Sequence, residues 1–177
     1  MRLFSNAAPK NESCVLFNAN KTLNNSANSK NSVFHFLAEE RTNNNGWSLS
    51  DIWKFNDIQI ENTHTFIQWV FPTDEPSRAT PGSPVLDKEE ILEIQNSKQA
   101  KQNLIKSADW YFNFLRRNSF WRKAHDHNHL RITRVIKSLR LLCGDDEADY
   151  YKEQFWQILG ADISIIPSKT IEYWEDA

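Results

Sequence analysis

The chain has 177 residues, which suits a single domain. Its hydrophobic share of 40 %, with seven Trp and eleven Phe, is enough for a core and makes that core aromatic, while only four Gly argue against a turn-rich β fold. A formal net charge of −2 gives the whole chain no electrostatic pull toward nucleic acid or an anionic membrane. No run approaches the roughly 18 apolar residues that a membrane span needs. The N-terminal MRLFSNAAPKNES lacks the apolar stretch of a secretory signal. Two cysteines, Cys14 and Cys143, make no disulfide framework and are read as reduced thiols. The expectation is an intracellular, cytoplasmic protein, with the nucleus as the alternative in a eukaryotic source.

Residues 18 to 32, NANKTLNNSANSKNS, are Asn- and Ser-rich and read as loop or linker. Segment 1–32 is therefore expected to be irregular, and 33–177 to be one helical domain. Val33 to Glu40 is a short helix candidate with Ser32 as N-cap. Asn43 to Gly46 marks a turn. Ser48 or Ser50 can cap a brief helix reaching Trp53 and Phe55. A helix opening at Asp57 is then expected to run through IENTHTFIQWVFP (60–72). Its apolar side takes Ile60, Ile67, Val70 and Phe71, and Pro72 stops it. Such a helix, apolar nearly all round and carrying Trp69, is a buried one. His64 and Gln68 lie one turn apart at its edge and need partners or a ligand.

TDEPSRATPGSP (73–84) holds three more prolines and reads as a long loop, and loops of that length are functional or disordered. Asp87 opens a short helix with an acidic first turn. A longer helix from about Ser97 to Arg117 shows a stripe of Leu104, Ala108, Tyr111 and Leu115, widened by Ile105 and Phe112. The next helix runs from near Asn128 to Cys143, with Gly144 as its terminator and Ile132, Val135, Ile136, Leu139 and Leu142 on one face. A final helix spans Asp146 to Leu159. The tail ISIIPSKTIEYWEDA is expected to be an arm packed back on the domain. The fold class is thus all-α, with six or seven helices around an aromatic core.

Four groups of residues could carry chemistry. Arg131 and Arg134 sit with Ser138 in one arc beside the apolar face of the 128–143 helix, with His127 joining if the helix starts early. Two guanidiniums so spaced make a fork for carboxylate or phosphate, unless acids from neighbouring helices occupy them. His125, His127 and His129 invite a metal reading with His64, but i, i+2 residues diverge on a helix, and a capped turn at Asp126 or Asn128 is the plainer reading. Asp145, Asp146 and Asp149 have DDxxD spacing, but acids are expected at a helix start. Basic residues crowd between Arg116 and Arg140, with Phe120 and Trp121 among them; a nucleic-acid face is one reading, a solvated balanced face the other. No Gly-rich phosphate loop, GxSxG elbow or HExxH is present. No metal or cofactor is expected.

HTFIQWVFP followed by PVLDKEEI, and HNHLRITRVIKSL from His127 to Leu139, resemble in residues and spacing the conserved domain of the opioid growth factor receptor family. The resemblance covers roughly Phe34 to Leu159. In it His64, Gln68 and Trp69 fall in the HxxIQW block, His127 and Asn128 form the His-Asn pair, and Arg131 and Arg134 are the RITR arginines. The family's animal members are named for binding an opioid pentapeptide and for growth inhibition at the nucleus; no enzymatic mechanism comes with the domain. The leading expectation is therefore a non-enzymatic binding module. It would take a peptide or small anionic ligand between the 60–71 and 128–143 helices, at His64, Gln68, Trp69, His127, Asn128, Arg131 and Arg134. The alternatives are a small all-α enzyme, metal- or anion-dependent, and nucleic-acid binding through 116–140.

Overall fold

The computed structural model describes residues 32–177, and among them there is no strand. In chain order the described helices are α1 (Ser32–Leu37), α2 (Leu49–Ile52), α3 (Asp57–Asn62), α4 (Ile67–Val70), α5 (Lys88–Asn96), α6 (Lys98–Arg117), α7 (His127–Leu142), α8 (Asp145–Leu159) and α9 (Ser168–Glu175). A 3₁₀ helix, Gly160–Ile165, links the last two. The Asn/Ser-rich stretch and Cys14 lie outside the described residues.

Side-chain caps set most of the starts. Ser48 and Asp51 form a reciprocal capping box on α2, and Asn56 and Gln59 form another on α3. Asp87, Ser97 and Asp126 cap α5, α6 and α7. Gly144 (φ +111°) separates α7 from α8, a backbone angle at which a side chain would be strained. Helix α1 is too short to hold itself by propensity. Buried Glu90 on α5 accepts from Val33 N (2.8 Å) and Phe34 N (3.0 Å), and Asn103 on α6 donates to Leu37 O (2.8 Å). Both ends of α1 are thus tied by residues more than fifty positions away in sequence.

One expectation needs correction. The helix read through residues 60–72 is broken: α3 ends at Asn62, Thr63 and His64 are non-helical, and a single turn resumes at Ile67. β-branched Thr63 takes an extended conformation (φ −95°, ψ 118°) as the C-cap. The carbonyls freed by the break are taken up by the Arg131 side chain, so tertiary hydrogen bonds override the continuous apolar pattern. The tail does pack back on the domain as expected, and it does so as a helix. It ends in α9, whose Trp174 is fully buried and donates Nε1–H to His129 O (3.1 Å). The split and the tail helix raise seven expected helices to nine among the described residues.

Helix α7 packs most extensively on α8 and also meets α5, α6 and α9. Its face of Ile132, Val135, Ile136, Leu139 and Leu142 joins a continuous buried cluster. Several aromatic pairs at that cluster meet edge to face: Phe36 with Trp69 (5.5 Å), Phe66 with Trp110 (5.7 Å), Phe155 with Trp174 (4.6 Å). Trp121, fully buried, finds an acceptor in Leu115 O (3.1 Å). No described helix is long and apolar enough to cross a membrane.

Candidate functional site

The break between α3 and α4 opens a cleft against α7. His64 comes from the break, Ile67 and Gln68 from α4, Ser77, Ala79 and Thr80 from the proline-rich loop, and His127, Leu130, Arg131 and Arg134 from α7. On α7 these positions are three or four residues apart, so one helix face supplies them all. The cavity measures about 140 Å³. Five of the seven residues expected at the site therefore share one wall-to-wall space. Trp69 and Asn128 do not line it. Trp69 is buried behind it against Phe36. Asn128 is fully buried, accepts from Tyr111 Oη (2.9 Å) and donates to Glu61 Oε2 (3.0 Å) and Asp126 Oδ1 (2.9 Å). The loop residues gave no sequence signal beyond the loop's length.

The two arginines, read together as a fork, do different things. Arg131 is only 5 % exposed. Its Nη1 donates to Ile60 O (2.9 Å) and Asn128 Oδ1 (3.3 Å); its Nη2 donates to Thr63 O (2.9 Å), Glu61 O (3.4 Å) and His64 Nδ1 (3.1 Å). It serves as a C-terminal cap for α3, closing carbonyls that a helix end leaves without donors. Among the described residues no acid pairs with it. Arg134 is half-buried and makes one hydrogen bond, from Nη1 to Phe71 O (3.2 Å). Among the described residues no carboxylate lies within salt-bridge reach of it. Burial pulls its pKa below the ordinary arginine range, with the Glu75 charge acting against that, and it stays cationic at neutral pH.

The imidazoles of His64 and His127 meet edge to face at 5.2 Å. Because His64 accepts from Arg131 at Nδ1, its proton sits on Nε2. Burial, reinforced by the Arg131 charge, lowers the pKa of His127, so this ring is neutral at pH 7. Its Nε2 is buried 3.5 Å from Glu61 Oε1 without making a hydrogen bond. Gln68 is 4 % exposed; its Nε2 donates to Thr80 Oγ1 (2.7 Å) and its Oε1 is buried with no partner.

Of the histidines of the metal reading, His64 and His127 meet but His129 does not join them. His129 points the other way, with Nε2 on Trp121 O (3.0 Å) and its ring against Trp174. Glu61, Asp126 and His127 do bring donor atoms within 4.8 Å of one another. The set is poor in free electron pairs, however. Asp126 Oδ1 accepts from Asn128 N (2.8 Å) and Nδ2 (2.9 Å), and its Oδ2 pairs with Lys123 Nζ (3.0 Å). Hydrogen bonds thereby outweigh the upward push of burial and hold Asp126 below the ordinary carboxylate pKa. The Arg131 cation stands beside the same group.

The remaining constellations resolve into ion pairs. Asp145 and Asp149 both accept from Arg140 (2.8 and 2.7 Å) at the start of α8. In the basic region, Arg117 pairs with Asp57, Arg122 with Asp162, Lys123 with Asp126 and Lys137 with Glu75. Cys143 is a free thiol whose pKa is pushed up to about 11 by burial, which keeps it a poor nucleophile.

An all-α domain with a small polar cleft between a broken helix and a long one defines a class of compact helical module. Its family is shown by comparison. The family model described as the opioid growth factor receptor conserved region matches residues 25–118, just over half of the chain. This chain belongs to that family. The opioid growth factor receptors of mouse and rat are each 31 % identical to it over 116 residues, and that of human is 29 % identical over 119, in each case across 54 % of this chain. The matched region is 18, 20 and 17 % of those proteins, so the chain spans only a small part of their length. The family-model match ends before α7, so the residues that α7 gives to the cleft lie outside it. No solved structure matches the chain.

Proposed function

We propose that this domain is a non-enzymatic binding module that takes the anionic group of a peptide or small molecule in the cleft between α4 and α7. The observation that carries the reading is Arg134: a half-buried guanidinium at a cavity wall, with a single carbonyl partner and no counter-ion among the described residues. A charge held in that way leaves donors for a carboxylate or phosphate, and each charge-assisted contact contributes about 1.5–3 kcal/mol. The neutral His127 and the Nε2–H of His64 add polar contacts, and Ile67, Ala79 and Leu130 add apolar ones. Arg131 shapes the wall rather than meeting the ligand. The names of the mouse, rat and human relatives as receptors favour a ligand-binding role over catalysis. The paired basic residues favour neither nucleic acid nor a membrane surface, and the place of action on this reading is intracellular.

Chemical-shift mapping tests it. Titration of the ¹⁵N-labelled chain with acetate should move the Arg134 side-chain signal together with the amides of His64, Gln68 and Thr80. Shifts spread evenly over surface lysines and arginines, with the cleft unmoved, would reject the reading.

A further inference from the structure

The second unfilled group in the cleft is an acceptor, not a donor. Gln68 is almost wholly buried, and with its amide turned so that Nε2 meets Thr80, the Oε1 is left inside without a partner. A buried acceptor without a donor carries the full penalty of its desolvation, so it points to a group that supplies an N–H or O–H. A simple carboxylate cannot do so; acetate in the cleft would leave Gln68 as it is, or repel it.

Size narrows the ligand further. A space of about 140 Å³ is in the class of an engineered cavity known to hold one benzene ring, which means about six heavy atoms. Ile67, Ala79 and Leu130 line the same space as Gln68 and Arg134, and Leu130 is 64 % exposed. One small residue fits inside; anything larger must continue out past Leu130.

We infer that the cleft recognises a carboxylate with a hydrogen-bond donor on its adjacent carbon, that is, an α-amido, α-amino or α-hydroxy acid, with the carboxylate on Arg134 and the donor on Gln68 Oε1. This rests on the reading of the cleft as an anion site and adds the second contact. The same chemistry is found in a free small acid and in the last residue of a peptide.

The test is a titration of the whole chain with five probes: N-acetylglycine, propionate, N-acetylglycinamide, and a tetrapeptide ending in glycine in two forms, with a free and with an amidated C-terminus. N-acetylglycine should bind at least about tenfold tighter than propionate, which has the charge but no donor, and than the amide, which has the donor but no charge. In Gln68→Met, which keeps the side-chain volume, that preference over propionate should vanish while propionate binding stays. The free-ended tetrapeptide binding as well as N-acetylglycine, and better than its amidated form, assigns the site to peptide ends; its exclusion assigns the site to small acids. Equal binding of propionate and N-acetylglycine to the unaltered chain overturns the inference while leaving the anion site standing. If no carboxylate binds, the anion site falls and the inference falls with it.

Discussion

Arg131 and Arg134 are one helical turn apart in sequence and differ in what surrounds them. Arg131 stabilises by closing Ile60, Glu61 and Thr63 carbonyls, whereas Arg134 has a single carbonyl. Replacing Arg131 by Gln leaves those carbonyls at a buried helix end without donors, and unmet groups of this kind cost about 1–3 kcal/mol each. The expected loss of stability is at least about 3 kcal/mol, read from a chemical denaturation curve; a parent-like midpoint would show that the cap is dispensable. Histidine gives a second test. Burial holds the pKa of both His127 and His129 below the ordinary 6.5. Below that value the unfolded chain binds protons that the native state refuses, so stability present above 6.5 is lost as pH falls through and below it. Glu90, whose pKa burial raises, works in the opposite direction. The check is therefore a difference: between about pH 7 and about pH 5, His129→Gln should lose stability less steeply than the parent. Identical slopes would show that His129 is not held neutral.

At the scale of elements, the lesson is the break at Thr63. The apolar positions 60, 67, 70 and 71 are buried as the periodicity implies, yet the helix between them is interrupted. Periodicity reports which side is buried and not whether the backbone continues; that was decided by a guanidinium from α7. The longer helices were legible because caps and terminators agree with the apolar stripe: Ser97 and the Leu104–Leu115 face for α6, Gly144 after α7. The α1 ties through Glu90 and Asn103 were not legible, since nothing local marks a residue that will serve a partner more than fifty positions away. The cleft was legible as far as polar residues stand at the edge of apolar faces, which picked out His64, Gln68, His127, Arg131 and Arg134. Its third wall, Ser77, Ala79 and Thr80, was legible only as a long loop. Trp69 and Trp174 anchor the two ends of the aromatic core, against Phe36 and Phe155. Replacing either by Ala should destabilise by about 3–5 kcal/mol. A thermal melt unchanged in Trp174→Ala would show that α9 is not docked as described.

At the scale of the molecule, the described residues form one aromatic core with the polar cleft between α4 and α7 on it, and ion pairs hold several of the other charges. Both oxygens of Asp126 are already engaged, so the Glu61, Asp126 and His127 group is expected to hold no resident metal. Elemental analysis of protein purified without a His tag should find well below one equivalent of zinc, iron or manganese per chain; a stoichiometric metal lost in His127→Ala would return the enzyme reading. The central claim is that Arg134 is a binding group and not a strut. Its most direct measurement is a pair of experiments on Arg134→Gln: the melt, and a calorimetric titration with N-acetylglycine. The account predicts a melting temperature close to the parent's and no measurable binding, with the parent binding the same probe. A lowered melting temperature with binding unchanged would contradict it.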